Sequence, residues 1–185
     1  MKWMIASDIH GSAYWGRRLL ERYREEGADR LLLLGDLLYH GPRNDLPEEY
    51  NPREVIAMLN RMKNDILAVR GNCEAEVDQM VLAFPVLADY AVLAPGDCVI
   101  YATHGHVYNE AHLPPLHSGD ILLHGHTHIP GCTVHDTYVC MNPGSVSIPK
   151  ENTHHGYMTL VDGVFLWRDL DGTVRNEYRV PDKKA

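Results

Sequence analysis

Residues 121–130 read ILLHGHTHIP, and the reading of this stretch decides the fold. Ile121, Leu122 and Leu123 form a short apolar run of the kind a buried strand shows. Just past it stand His126 and His128, two apart, between Gly125 and Pro130. Ligands of open α/β sheets gather outside the carboxyl ends of strands. Paired imidazoles at such an end therefore call for partners at the ends of other strands. The outer histidines of GHTH would project the same way if the backbone there stays extended.

Four more stretches meet that requirement: Asp8-Ile9-His10, Gly35-Asp36, Gly71-Asn72-Cys73-Glu74 and Thr103-His104-Gly105-His106. Each stands at or just after an expected strand end and offers a hard oxygen or an imidazole nitrogen. Alone, a DxH, GD or GN reads as an ordinary loop. The ordered set of five carries the reading. Asp8, Asp36, Asn72 and the imidazoles of His10, His104, His126 and His128 are an odd set to bury without a cation. Mixed oxygen and nitrogen donors suit manganese, iron, zinc, cobalt or nickel. Seven donors exceed one tetrahedral ion, whereas two ions about 3.5–4 Å apart and sharing a carboxylate would use them.

The flanking pattern places these stretches. Lys2–Ser7, Arg30–Leu34 and Ile66–Val69 read as strands. A helix opens at Gly11-Ser12, repeats Trp15, Leu19 and Tyr23, and ends at Gly27. A second opens with Asn51 as cap, Pro52 first and Glu54 three after the cap. Strand, helix, strand, helix, strand implies a parallel sheet. The second half reads as strands at Val86–Leu93, Cys98–Thr103, Ile121–Leu123, Thr133–His135, Tyr138–Met141, Tyr157–Val161, Val164–Leu170 and Thr173–Val180. Turns are expected at Pro95-Gly96-Asp97, Asp136-Thr137, Asp162-Gly163 and Asp171-Gly172, with a frayed tail PDKKA.

Composition sets outer bounds. The 185 residues are most simply one domain, 1–185, with 45% hydrophobic and 23% charged residues. No apolar run approaches the roughly 18–20 residues of a membrane helix. The apolar N-terminal piece is interrupted at Asp8, too short for a signal peptide, which reads as cytoplasmic. A net charge of −8 argues against long nucleic acid or an anionic membrane as partner, while leaving room for a small phosphorylated ligand. Cys73, Cys98, Cys132 and Cys140 form no CxxC pair and are expected to be reduced.

In this order the motifs DxH, GD, GN, a histidine in a GH-type loop and GHxH resemble the calcineurin-like metallophosphoesterase superfamily. GNCE at 71–74, HGPRN at 40–44, VRGNC at 69–73 and NPGSVSIPK at 142–150 resemble its YfcE-type bacterial phosphodiesterases. The resemblance runs from residue 3 to about residue 150 and implies an α/β (α+β) fold. That fold is a four-layer αββα sandwich of two facing mixed β-sheets flanked by helices. Asp8, His10 and His128 would hold one metal ion, and Asn72, His104 and His126 the other. Asp36 would bridge them. Two divalent ions are implied, with manganese the best fit to oxygen plus imidazole. The implied activity is hydrolysis of a small phosphodiester by a metal-activated hydroxide. A phosphomonoesterase or nucleotide pyrophosphatase would use the same ions, because specificity lies in loops such as 37–50 and 106–119. The retromer subunit Vps29 shares the fold and works as a scaffold. Retention of all seven ligand positions argues for an enzyme here.

Further residues have two readings each. Cys73 stands where most of the superfamily has a histidine that assists the leaving group. A thiol with a pKa of about 8.5 is neutral at pH 7 and a poor general acid, which implies modest activity on poor leaving groups. It could equally line a tight loop. His106 either touches substrate phosphate or makes a structural hydrogen bond. Arg43 either approaches the phosphate or is a solvated arginine. His124 packs behind the site, and NPGS is an architectural turn near it. Glu74 reads as a carboxylate at a helix start, and His154-His155 as a solvated loop. The apolar row Val164–Trp167 would be covered in the monomer or by a second subunit in a homo-oligomer.

Overall fold

The computed structural model describes residues 1–95 and 98–181. Gly96 and Asp97 of one expected turn, and residues 182–185 of the tail, lie outside the described residues. The first half alternates as expected: β1 (Trp3–Ala6), α1 (Ala13–Glu26), β2 (Arg30–Leu33), α2 (Pro52–Arg61) and β3 (Ile66–Ala68). Local chemistry sets the helix limits. The Ser12 hydroxyl accepts from the Trp15 amide, and Gly27 closes α1 in the left-handed region at φ 58°. The Asn51 side chain accepts from the Glu54 amide and Pro52 opens α2. A short α3 (Glu76–Val81) opens just after Glu74, where the sequence places a helix start; its extent was not legible, because it buries no residue and leaves no apolar stripe to read.

The second half follows as β4 (Tyr90–Leu93), β5 (Ile100–Thr103), β6 (Asp120–Leu123), β7 (Gly131–Val134), β8 (Tyr138–Asn142), β9 (Gly156–Val161), β10 (Val164–Asp169) and β11 (Val174–Arg179). The strands form two mixed sheets, ordered β11-β10-β9-β1-β2-β3 and β4-β5-β6-β8-β7. Strands β1, β2 and β3 run parallel, and so do β5, β6 and β8. The remaining pairings are antiparallel: β1 with the distant β9, and hairpins elsewhere, one of them turned by Asp162-Gly163 at φ 48° and 74°.

Alternation of side chains explains why β1 and β2 read as unbroken apolar runs. Met4, Ala6, Leu31 and Leu33 face the helices and pack with Leu19, Val55 and Leu59. Ile5 and Leu32 face the other way and pack with Ile100, Ile121, Leu123 and Met141 of the second sheet. Phe165 and Trp167 are buried in that same inter-sheet core, so the monomer itself covers that half of the apolar row, while Val164 and Leu166 on the other face are half-buried. Helices α1 and α2 flank the first sheet. Over the outer face of the second lies connection 104–119, with Tyr108 edge-on to Tyr90 and Glu110 paired to His135 at 2.8 Å.

His154 and His155 are not a solvated loop. His155 stacks on Trp15 with ring centroids 3.6 Å apart, and its Nδ1 donates to the Val146 carbonyl. The apolar partner lies 140 positions earlier in the chain, so the local polar context misleads. No helix among the described residues is long and apolar enough to cross a membrane.

Candidate metal centre

The carboxyl ends of β1, β2, β3, β5 and β6 deliver the five motif loops to one edge of the sandwich. Backbone hydrogen bonds lace those loops together. The Asp8 amide donates to Gly35, the His10 amide to Asp36 and the Gly125 amide to His104. One cluster is deeply buried. His128 Nε2 stands 3.2 Å and His10 Nε2 3.5 Å from Asp8 Oδ1, and the two nitrogens are 3.2 Å apart. A second cluster opens to solvent. His104 Nε2 lies 3.1 Å from Asn72 Oδ1 and 3.2 Å from His126 Nδ1. Asp36 sits between them, its Oδ2 3.7 Å from His10 Nε2 and 3.5 Å from His104 Nε2. Donors held about 2.0–2.1 Å from a shared ion stand about 3.0–3.4 Å from one another at right or tetrahedral angles. Most spacings in both clusters fall in that range, and those of His10 to Asp8 and of Asp36 to its two histidines, at 3.5–3.7 Å, are a few tenths longer.

The backs of the rings fix their orientation. His10 Nδ1 donates to the Tyr39 carbonyl at 2.8 Å, His104 Nδ1 to Leu34 at 2.7 Å and His128 Nδ1 to Ile148 at 2.6 Å. With that proton spent, the inward Nε2 of a neutral ring presents a lone pair. Asp8 Oδ1 is fully buried and accepts no hydrogen bond among the described residues. Lone pairs converging on one volume repel unless positive charge lies between them, so this donor set fits a cation. The electrostatics say the same. Burial would lower the His104 pKa, yet Asp36 and Asp8 raise it to about 9. Burial would raise the Asp8 carboxyl, yet His10 and His128 hold it well below the usual carboxylate range. His126, by contrast, is pushed down to about 4 by burial and by His104.

The backbone here is strained. Asp8, His10, Asp36, His126 and His128 all adopt left-handed φ, at 60°, 49°, 56°, 66° and 63°. Such conformations cost roughly 1–2 kcal/mol each for residues with a Cβ. GHTH is therefore not extended. Its two histidines point to different clusters because each sits at a left-handed kink, where an extended backbone would have aimed them the same way. The loop is pinned by Asn142, whose Nδ2 donates to the Gly125 carbonyl at 2.8 Å and the Thr127 hydroxyl at 3.0 Å. His124 is buried beside it and also donates to Gly125 O, at 3.0 Å. Within NPGSVS, Ser145 and Ser147 donate their hydroxyls to the Asp8 carbonyl at 2.9 and 3.0 Å.

Other sequence candidates fall at the rim or outside. Cys73 Sγ shares a neighbourhood with His10 and Asp36 in which donor atoms lie within 4.8 Å of one another. Burial, and after it Asp36, push the Cys73 thiol above its ordinary value, so it is neutral. His106 is exposed, with its ring centroid 5.3 Å from that of His104, and burial and His104 keep it neutral. Arg43 is exposed, and no described residue makes a hydrogen bond or ion pair with it. Glu74 directly precedes Ala75, the cap residue of α3, but its carboxylate does not serve that helix. Its side chain turns inward and accepts from the amides of Asp36, Leu37 and Gly71 at 2.8, 2.7 and 2.5 Å. Sequence reading missed this because the donors are backbone groups, as are the carbonyls of Tyr39, Leu34 and Ile148. Only the serines of NPGSVS left a side-chain signal.

Residues 1–162 match the family described as the calcineurin-like phosphoesterase superfamily domain. The chain belongs to that superfamily. Membership implies divalent metal, in keeping with the donor set. The protein named phosphodiesterase YfcE of Escherichia coli K12 is 45% identical over 164 residues, covering 89% of each chain. A solved structure of the phosphoesterase YfcE from E. coli superposes with a TM-score of 0.95 at 42% identity, over 98% of this chain and 100% of that one. Vps29 of Entamoeba histolytica, solved with zinc, shares the fold alone: TM-score 0.63 at 19% identity, over 98% and 100% of the two chains.

Proposed function

We propose that the protein is a phosphodiesterase that hydrolyses small phosphodiesters with two divalent cations, manganese being the best fit. Similarity to phosphodiesterase YfcE supports the reaction class. The observation that carries the site reading is the Asp36 carboxylate lying between His10 and His104, beside a buried Asp8 oxygen with no hydrogen-bond donor. In this reading Asp8, His10 and His128 hold the inner ion, Asn72, His104 and His126 the outer one, and Asp36 both. Bound divalent ions supply Lewis acidity, which offsets charge on phosphoryl oxygens and generates hydroxide near neutral pH.

The chain's own residues do the rest. Carbonyls behind His10, His104 and His128 hold the rings still, so little reorganisation accompanies the reaction. The Asn72 and His126 side faces solvent, so substrate approaches there. Exposed, neutral His106 can donate a hydrogen bond to a phosphoryl oxygen. Arg43 is exposed on a loop whose Gly41 approaches Cys73, which leaves its guanidinium available to a bound phosphate. Cys73 is a neutral thiol and a weak proton donor to a departing alkoxide, which favours substrates with good leaving groups.

The test is to strip the protein with chelator, restore manganese, and compare bis-p-nitrophenyl phosphate with p-nitrophenyl phosphate. Asp36→Asn, run alongside, excludes contaminating enzyme. Manganese-dependent cleavage of the diester, lost in Asp36→Asn, is expected. Preference for the monoester would replace the reading with a phosphomonoesterase. Cleavage of neither, with both ions bound, would turn it towards a scaffold.

A further inference from the structure

Two of the loops above meet at a pair of glycines, Gly35 and Gly71. A Cβ on Gly35 would lie 2.5 Å from the Gly71 amide nitrogen, and one on Gly71 would lie 2.1 Å from Asp36 Oδ1. Backbone packs on backbone here, and amides from both loops point into the same dry volume. The Glu74 carboxylate fills it, with 4% of the residue exposed. Oε2 accepts from Asp36 and Gly71, one amide from each loop, and Oε1 accepts from Leu37. Asp36 Oδ1 returns the tie by accepting from the Cys73 amide at 2.9 Å. Asn72 lies between the two attachment points. Glu74 thus spans the loop that carries Asp36 and the loop that carries Asn72.

We propose that Glu74 is a positioning residue that fixes the spacing of Asp36 and Asn72, and through it the capacity to hold a second cation. The inference rests on the two-ion reading above. A carboxylate suits the position because, once ionised, it is acceptor-only with lone pairs enough for three donors; burial and Asp36 push the Glu74 carboxyl up, and the three amides counter that push. Glutamine has the same shape, but its NH2 would face an N–H across one of these contacts. That leaves at least one amide of the two loops without an acceptor and pushes the loops apart. Partners one shell out from a metal typically change its affinity by about 10- to 100-fold.

A control with the same kind of bond exists at the other end of the strands. Asp120 is 3% exposed and accepts from the amides of Val99 and His117 at 3.1 and 2.8 Å. Asp120→Asn therefore loosens a buried carboxylate clamp away from the proposed ligands. The experiment titrates metal-free parent, Glu74→Gln and Asp120→Asn with manganese and follows free ion by its electron paramagnetic resonance signal. Melting of each metal-free protein is recorded alongside.

The parent should take up two ions, Glu74→Gln should lose at least about tenfold in the weaker affinity, and Asp120→Asn should match the parent despite a lowered melting point. Parental uptake by Glu74→Gln overturns the proposal, as does an equal loss in Asp120→Asn, which would make the effect one of general stability. A parent that takes up fewer than two ions overturns the two-ion reading and the proposal with it. Should Glu74→Gln not fold, Glu74→Asp takes its place. It keeps the charge but is one methylene short of the Asp36 loop, and the same outcomes decide.

Discussion

At Gly125 an added Cβ would lie 1.9 Å from Ser7 Oγ and 2.8 Å from Asp8 Oδ2. Both neighbours are fully buried, so neither can swing into solvent. Gly125→Ala must therefore shift the Asp8 side chain or the GHTH backbone. The expected cost is about 1–3 kcal/mol of stability from overpacking. Metal uptake should weaken about tenfold or more, because His126 also donates its amide to Asp8 Oδ2. Thermal melting and a manganese titration read the two effects separately. Unchanged uptake would show that the loop relaxes without moving Asp8. At this scale the sequence was legible wherever chemistry resides in a side chain, as for Asp8, Asp36 and the four histidines. It was opaque where the partner is a carbonyl or an amide. Every residue carries those groups, so Tyr39, Leu34 and Ile148 leave no mark as the anchors of three imidazoles, and Glu74 could be read only as a local helix cap.

Elements were legible where a cap or turn residue has a forced conformation. Ser12, Gly27, Asn51-Pro52 and Asp162-Gly163 sit where the sequence reading put them. The short α3 lacked such a signal, and strand ends shifted where burial does not stop with the hydrogen-bonded ladder. The β10–β11 hairpin shows how a turn can also set pH dependence. Asp169 Oδ1 accepts from the amides of Asp171 and Thr173, and Oδ2 from Arg175 at 2.6 Å. Burial would raise the Asp169 carboxyl, but Arg175 and the amides bring it below its ordinary value. A carboxylate with a folded pKa below its unfolded pKa stabilises fully above the unfolded value of about 3.9. That contribution disappears as pH falls through the folded value. Asp169→Asn should cost about 1–3 kcal/mol near pH 7, the scale of buried hydrogen bonds to a charged group. The gap between variant and parent should close below about pH 4. Urea unfolding at several pH values checks this, and a gap constant down to pH 3 would show that the turn does not depend on the charge.

Across the whole molecule, the sequence showed that the strand ends carrying Asp8, Asp36, Asn72 and the four motif histidines share an edge, but not how the chain passes between sheets. The passages after β3 and after β8 carry no local signature, and β8 pairs with β6 while β7 lies outside it. Here family resemblance supplied what periodicity could not. The arrangement has a mechanical consequence. Asp8, His10, Asp36 and Asn72 come from the first sheet, whereas His104, His126 and His128 come from the second. Ions held among them would tie the two sheets at one edge, while the opposite edge relies on side-chain packing, with Trp3 and Leu160 of the first sheet in one core with Leu93, Cys98 and Val139 of the second. At free manganese about 100-fold above its dissociation constant, a single such site adds about 2.7 kcal/mol. For a chain of this size that corresponds to a rise of roughly 5–10 °C in the melting midpoint. Chelation should reverse the rise. It should also speed amide exchange in the loops after β1, β2, β3, β5 and β6, and leave the β10–β11 hairpin unchanged. Hydrogen exchange with and without chelator distinguishes this from general loosening. Equal acceleration in β11 would mean that the ions stabilise the fold as a whole and do not act as a staple at one edge.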